Sequence, residues 1–352
     1  MTDNFITDLA SRIKDHAARK AAVRIRGGGT KDFYGARIDG EPLDVSGYSG
    51  IVAYEPRELV LTVRAGTRLG EIEQVLAAEG QMLPFEPPGF GEAATIGGTV
   101  ACNFSGPRRP FAGAVRDFVL GARIVNGKGE DLSFGGRVIK NVAGYDVSRL
   151  MAGALGTLGV LTEISFKVLP RPTAESTLAF ELDEAHMIET VNRWAGQPLP
   201  LSATAWEAGV LRVRLSGASS AVAAARAKLG GTEMPDGAPY WEGLREQRLP
   251  FFSGDRPLWR LSVAQTAAPI GLDFPQLIEW GGGVRWVSGA LGATRAREAA
   301  EKAKGHATLF RGGDRAAGVF HPLAPAIAKI HRRLKDAFDP AGILNLGRMD
   351  NF

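Results

Sequence analysis

Phe5, Leu9 and Ile13 recur at every fourth position, with Ile6 beside them, and predict an opening amphipathic helix. A short apolar stretch at 23–26 predicts a strand that runs into Gly27-Gly28-Gly29. Leu59, Leu61 and Val63 alternate with Val60, Thr62 and Arg64, again as a strand. Gly66-Thr67 then reads as a turn and helix cap, and Leu69, Ile72, Val75 and Leu76 mark one helix face that stops at Gly80. Pro84, Pro87, Pro88, Gly89 and Gly91 make a stiff loop. After it come a strand over 118–126, a hairpin signal at Asn126-Gly127-Lys128-Gly129, and a strand over 161–168 that ends at Pro170-Arg171-Pro172.

That proline pair divides the pattern. Beyond it, strands at 177–182, 202–206 and 210–216 alternate with helices at 184–195 and 219–229. A second run follows: strand 259–264, helix 274–280, strand 284–288, helix 293–304 and strand 308–311. This order predicts an antiparallel sheet with helices on one face. Tyr240, Trp241, Phe251, Phe252 and Trp259 are assigned to its core. A helix over 323–338 and a tight turn from Asp339 to Asn345 close the chain. The expected division is 1–170, 171–320 and 321–352, the last returning to the first; the fold class is α+β.

Two segments carry candidate chemistry: Arg26-Gly27-Gly28-Gly29-Thr30, and residues 95–106, which begin Thr95-Ile96-Gly97-Gly98. Glycine lets backbone approach a ligand closely and lets successive N–H groups converge on an anion. Two such loops suit a pyrophosphate held from both sides, and hence a dinucleotide. No Lys-Ser or Lys-Thr closes a P-loop, and no Gly-x-Gly-x-x-Gly opens a helix. The net charge of +4 is scattered rather than striped, which argues against nucleic acid. The single cysteine, Cys102, excludes an internal disulfide and an iron–sulfur or zinc cluster built from cysteines. The polar start is unlike a signal peptide, and the most apolar run, 151–162, is too short to span a bilayer. A soluble cytoplasmic chain is expected, attached peripherally to the inner face of the membrane through partners if at all.

In this order, the glycine segments resemble the FAD-binding domain of the vanillyl-alcohol oxidase/p-cresol methylhydroxylase flavoprotein family. Further carriers are Leu43-Asp44-Val45-Ser46, Arg116-Asp117-Phe118, the run from Gly135 to Asp146, 153–162 and 338–347. Within that family the likeness is narrowest to FAD-binding subunits of complexes that oxidise glycolate. The resemblance implies a two-part FAD domain with an antiparallel α+β cap. It implies that Arg26, Gly27, Gly28, Gly29 and Thr30 form one wall of the pyrophosphate site. Pro88, Gly89, Thr95, Ile96, Gly97, Gly98, Asn103, Ser105 and Gly106 would form the other wall and reach the ring and ribitol. Gly156, Gly159 and Val160 would lie under the adenosine half, and Asn345 would return to the ring.

Three departures from the family refine this. Thr30 stands where relatives with covalent flavin carry His, so dissociable FAD is expected, with Cys102 as small buried filling. The Gly-Asp-Gly-Asn-x-His segment of related 2-hydroxy acid dehydrogenases is missing, and the five histidines show no ligand spacing, so no metal is expected. The cap is also shorter than theirs. The implied reaction is oxidation of a small 2-hydroxy acid, with an arginine holding the carboxylate. Arg108, Arg109 and Arg348 are the candidates, and no base is assigned. Lys140, Tyr145 and Asp146 are read as a cluster at a subunit contact. The resemblance implies two partners in one complex, a catalytic flavoprotein subunit and an iron–sulfur subunit. It leaves open whether this chain's own flavin oxidises substrate or only relays electrons and stabilises the assembly. A free-standing sugar or alcohol oxidase is the remaining reading.

Overall fold

The computed structural model describes residues 2–36, 39–136 and 146–349. Lys140 and Tyr145 of the expected cluster lie outside them.

The opening helix, Thr2–Arg19, buries Ile6, Leu9 and Ile13, and its Phe5 ring stacks on Tyr48 at 4.5 Å. It covers a small parallel pair, Val23–Arg26 with Glu41–Asp44, to which Leu344 of the tail adds a bridge beside Val23. Next to this pair stands a five-stranded antiparallel sheet in the order Ile51–Glu55, Val60–Arg64, Val160–Lys167, Val119–Val125, Asp131–Gly135. Val60–Arg64 lies inside the sheet, and Val60, Leu61, Thr62 and Val63 are all buried, so burial on both faces overrides its alternating sequence. Helix Leu69–Ala78 packs Leu69, Ile72 and Leu76 into the same core and ends before Gly80, whose φ of +63° suits glycine. Each fully buried Leu or Ile here contributes about 1.5–3 kcal/mol.

Residues 174–311 build an eight-stranded antiparallel sheet. Its order is Thr232–Met234, Ala174–Glu181, Val210–Gly217, Leu201–Glu207, Gln276–Glu279, Val284–Ser288, Leu258–Ser262, His306–Arg311. Each half has one arrangement: in chain order its strands lie 4-1-3-2, and the halves meet edge to edge at their second strands. The first half carries two helices, Glu184–Ala195 and Ser219–Leu229. The second keeps one, Ala293–Lys302; residues 263–275 cross without a helix where the other would stand.

The helix expected over 274–280 is therefore corrected to a strand, Gln276–Glu279, followed by a 3₁₀ turn, Trp280–Gly282. Strands on both sides supply hydrogen bonds to the segment, and Trp280, Gly281 and Gly282 have positive φ, which a helix cannot continue. Tyr240, Trp241, Phe251, Phe252 and Trp259 do pack as cap interior.

The two sheets meet across a network of charges. Arg108 donates from Nε to Glu86 at 3.1 Å and from Nη2 to Glu175 at 2.6 Å, while Arg214 donates to Glu86 at 2.8 Å. Burial alone would raise the Glu86 carboxyl, but the two guanidiniums overcome it and hold the group below its ordinary range. At the far end, Lys335 on helix Pro325–Phe338 is buried. Its Nζ donates to Asp339 at 2.6 Å and to the carbonyls of Thr157 and Leu344, which ties the tail beside Val23. Among the described residues no helix is long and apolar enough to cross a membrane.

Candidate flavin and substrate site

Two cavities adjoin at Cys102 and Leu155, which line both. The first, of about 580 Å³, lies among the first glycine loop, the start of helix Ile96–Cys102, the 155–161 stretch and the tail. Arg26, Gly27, Gly28, Gly29, Thr30, Thr95, Gly97, Gly98, Gly156, Gly159, Asn345 and Arg348 all line it. The second, of about 570 Å³, lies beneath the eight-stranded sheet and is lined by Pro88, Asn103, Ser105, Gly106 and Arg109.

The loops are held together by contacts only glycine permits. A β-carbon on Gly28 would lie 1.5 Å from the Ala93 carbonyl oxygen, and one on Gly27 would lie 2.5 Å from Thr95 Oγ1. Gly29 has φ +73°. Pressed this way, the loop leaves the amides of Gly27, Gly28, Gly29 and Thr30 with no acceptor among the described residues. These residues are half-buried, and four successive backbone donors left without an acceptor fit an anion.

The second glycine segment contributes differently. Thr95 caps its helix, accepting from Gly98 N at 3.3 Å, and Gly97 lets the helix seat on Ala65. The amides of Ile96 and Gly97 donate to the carbonyls of Thr67 and Ala65, so they are not open to a ligand. The picture of two equal amide walls is thus corrected: one loop offers free donors, and the other offers shape.

Several residues expected at the cofactor stand elsewhere. Ile96 and Val160 are core residues with no exposure. Gly89 lines neither cavity, and its N–H, with that of Phe90, is taken by the Glu246 carboxylate from helix Ala238–Arg245 and its cap. The Asn345 side chain accepts from Ile25 N at 2.8 Å and donates to Leu155 O at 2.7 Å, so it clamps the cavity wall rather than reaching a ring. Arg108 is wholly engaged in the network with Glu86 and Glu175, because a guanidinium paired to two carboxylates has no fork left for substrate. Arg348 lines the first cavity and donates to the carbonyls of Lys31, Asp32 and Ala36, bracing the loop. Among the three arginine candidates, only Arg109 reaches the second cavity.

There it is joined by residues the sequence did not single out. The guanidiniums of Arg109 and Arg260 lie over the Trp280 ring, 4.4 and 4.9 Å from its centroid. Neither has a hydrogen-bond acceptor or an ion-pair partner among the described residues, and desolvation lowers the pKa of each. Arg109 is on the exposed rim and Arg260 is half-buried within the strand Leu258–Ser262. Glu279 is buried in the same wall and accepts from Trp286 Nε1 at 2.8 Å. Tyr34, Phe90, Phe104 and Phe310 give the chamber aromatic walls. Asn103, left-handed at the end of its helix, has its Oδ1 buried without a partner there. Lys31, also missed, donates to Gly89 O at 3.1 Å and stands at the first cavity. Arg260 and Glu279 carried no signal, because an arginine and a glutamate in strands have no motif of their own.

Cys102 is not core filling, since it lines both cavities at their junction. Burial there pushes its thiol up to about 11.

A backbone-built anion cradle opening into an aromatic chamber under an antiparallel cap defines a dinucleotide flavoprotein of the p-cresol methylhydroxylase architecture. A substrate-bound p-cresol methylhydroxylase structure superposes with TM-score 0.67 at 17% identity, covering 98% of this chain and 87% of that one. An alkyldihydroxyacetonephosphate synthase gives 0.66 at 15%, covering 96% and 75%. The FAD binding domain family matches residues 6–135.

Glycolate oxidase subunit GlcE of Escherichia coli (strain K12) is 47% identical over 341 residues, covering 97% of this chain and 96% of that protein. The chain belongs to that subunit's family. Glycolate oxidase subunit GlcD of Bacillus subtilis is 34% identical over 128 residues, 36% of this chain and 27% of that protein.

The four free amides, the glycine contacts and the unpartnered Asn103 oxygen fit FAD. The first cavity's residues would hold its diphosphate, and the second would receive the ring.

Proposed function

We propose that this chain is the FAD-holding subunit of a glycolate-oxidising complex and that a 2-hydroxy acid is oxidised in its own second chamber. The observation that carries this is Arg260: a half-buried guanidinium, without an acceptor among the described residues, facing a chamber that opens into the dinucleotide cavity. A desolvated, unpaired charge is costly, so a wall that keeps one is built for an anion. Arg260, with Arg109 at the rim, would bind the substrate carboxylate, and the aromatic walls would exclude water. Bound FAD supplies a two-electron acceptor for hydride.

A single cysteine is too few to hold an iron–sulfur cluster, so the electrons would leave through a partner subunit that carries one. The relationship to one subunit of a multi-subunit enzyme supports partner subunits. Attachment to a membrane would then come through the assembly.

The test is anaerobic mixing of the purified yellow chain with glycolate or D-lactate. Bleaching of the visible flavin band is expected. Bleaching only after the partner flavoprotein is added would move the oxidation to that subunit.

A further inference from the structure

We propose that Glu279 is the base that takes the hydroxyl proton of the 2-hydroxy acid, an inference that rests on the second chamber being the substrate site. Glu279 is the last residue of the strand Gln276–Glu279, where the two halves of the cap sheet join. The left-handed turn Trp280–Gly282 stops the strand there, so its final side chain comes to the chamber wall. One carboxylate oxygen is fixed by Trp286 Nε1. The other has no hydrogen-bond partner among the described residues. A buried carboxylate normally fills its acceptor sites, and a vacant one at a cavity is free to take a proton.

The other titratable groups suit the role less well. Tyr34 is pushed up to about 12 by burial and stays protonated. Lys31 is pinned to Gly89 O, and burial lowers it. His306 is also lowered, and it sits exposed at the start of the last cap strand. Arg260 and Arg109 remain cationic. Cys102 at the chamber's edge and Tyr240 on helix Ala238–Arg245 are both raised by burial, and Arg245 in the chamber lining is ion-paired with Glu73 and Glu246.

Burial drives Glu279 itself up to about 7, against the lowering effects of the Trp286 hydrogen bond and the Arg260 charge. A base poised near neutrality combines a useful ionised fraction with a real pull on the proton.

The step balances. The substrate's Cα–H bond would break with its electron pair leaving as hydride, for which bound FAD would supply the two-electron acceptor. The O–H bond breaks, its pair becomes the second C–O bond, and its proton forms a new O–H bond on Glu279. The alcohol would thus become a 2-oxo acid, its two electrons going to the acceptor that bound FAD would supply. Arg260 keeps the carboxylate in place throughout. Trp286 is a positioning residue that aims the free oxygen.

The test uses the FAD-loaded full chain, with partner subunits where bleaching requires them. In wild type, flavin reduction by glycolate should fall away as pH drops through neutrality, because only the carboxylate accepts a proton. Glu279→Gln can still accept from Trp286. It should slow reduction about 100-fold and remove that acid limb, while binding of oxalate changes little. Trp286→Phe removes a bond that favours the ionised form, so it should move the limb to higher pH. His306→Gln should leave the limb where it is. Infrared titration of the unreacted protein should show a protonated carboxyl that ionises near neutrality and is absent in Glu279→Gln. Bleaching of wild type with an unchanged rate and pH limb in Glu279→Gln overturns this assignment alone. A yellow protein that no 2-hydroxy acid bleaches, with or without partners, overturns the chamber reading as well.

Discussion

The two cavities are nearly equal in volume but are built from different material. The first is walled by backbone and by glycines drawn from short continuous runs, with its donors in one loop. The second is walled by long side chains from elements far apart in the chain, as Arg109, Arg260 and Glu279 illustrate. On the proposed reading, the backbone donors would hold a diphosphate, and the loop that carries them tolerates no side chain at Gly28. The side chains of the second chamber would hold the acid to be oxidised. Cofactor and substrate recognition would thereby be physically separated.

The largest effect should come from putting a side chain into the cradle. In Gly28→Val the new β-carbon would fall 1.5 Å from the Ala93 carbonyl oxygen, which is backbone and cannot swing away. The two loops must part, and the four amides lose their convergence. FAD affinity should drop by about 100-fold or more, of the order expected when overpacking costs 1–3 kcal/mol and the donors also misalign. Equilibrium dialysis of the apoprotein measures it, with circular dichroism to confirm folding. Full retention of flavin would place the diphosphate elsewhere.

The complementary break is Arg260→Ala, which should leave flavin content unchanged and damage only substrate handling. Losing a charge-assisted bond to a carboxylate costs about 1.5–3 kcal/mol, or roughly 10- to 100-fold in kcat/KM, carried mostly by KM. Stopped-flow reduction at several glycolate concentrations separates the two constants. Equal loss of flavin and turnover would erase the distinction between the chambers.

This contrast also explains what could be read from the sequence. The glycine loop was legible because contact distances that forbid a β-carbon leave glycine in the chain, and a run of three is visible without a structure. The strands 177–182 and 210–216 were legible from period-two alternation. The strand Gln276–Glu279 was not: Leu277, Ile278 and Glu279 are all buried, so alternation is lost, and its partners come from strands either side. Arg108 looked like a ligand because it adjoins the second glycine segment. Its partner Glu175 is distant in sequence, as is Arg214, which shares Glu86 with it, so only the fold reveals that it is spent. The Gly89 amide was lost to Glu246 for the same reason. Local chemistry shows in sequence; the competition for each group does not.

Cys102 tests the boundary between the chambers, with the smallest effect. It touches both cavities, so its sulfur lies where a ring would pass from one to the other. A thioether to the flavin needs a thiolate, and desolvation that raises the thiol to about 11 leaves only about one part in ten thousand ionised at neutral pH. The nearby charges of Lys31 and Arg348 lower it, but less than burial raises it. The flavin should therefore be held by contacts alone. Acid precipitation of wild type should release all of it to the supernatant, and Cys102→Ser should change FAD affinity by less than about threefold, within the range of a near-isosteric swap. Flavin that stays with precipitated wild type and leaves the serine variant would show a covalent bond at the junction and would join the two chambers chemically.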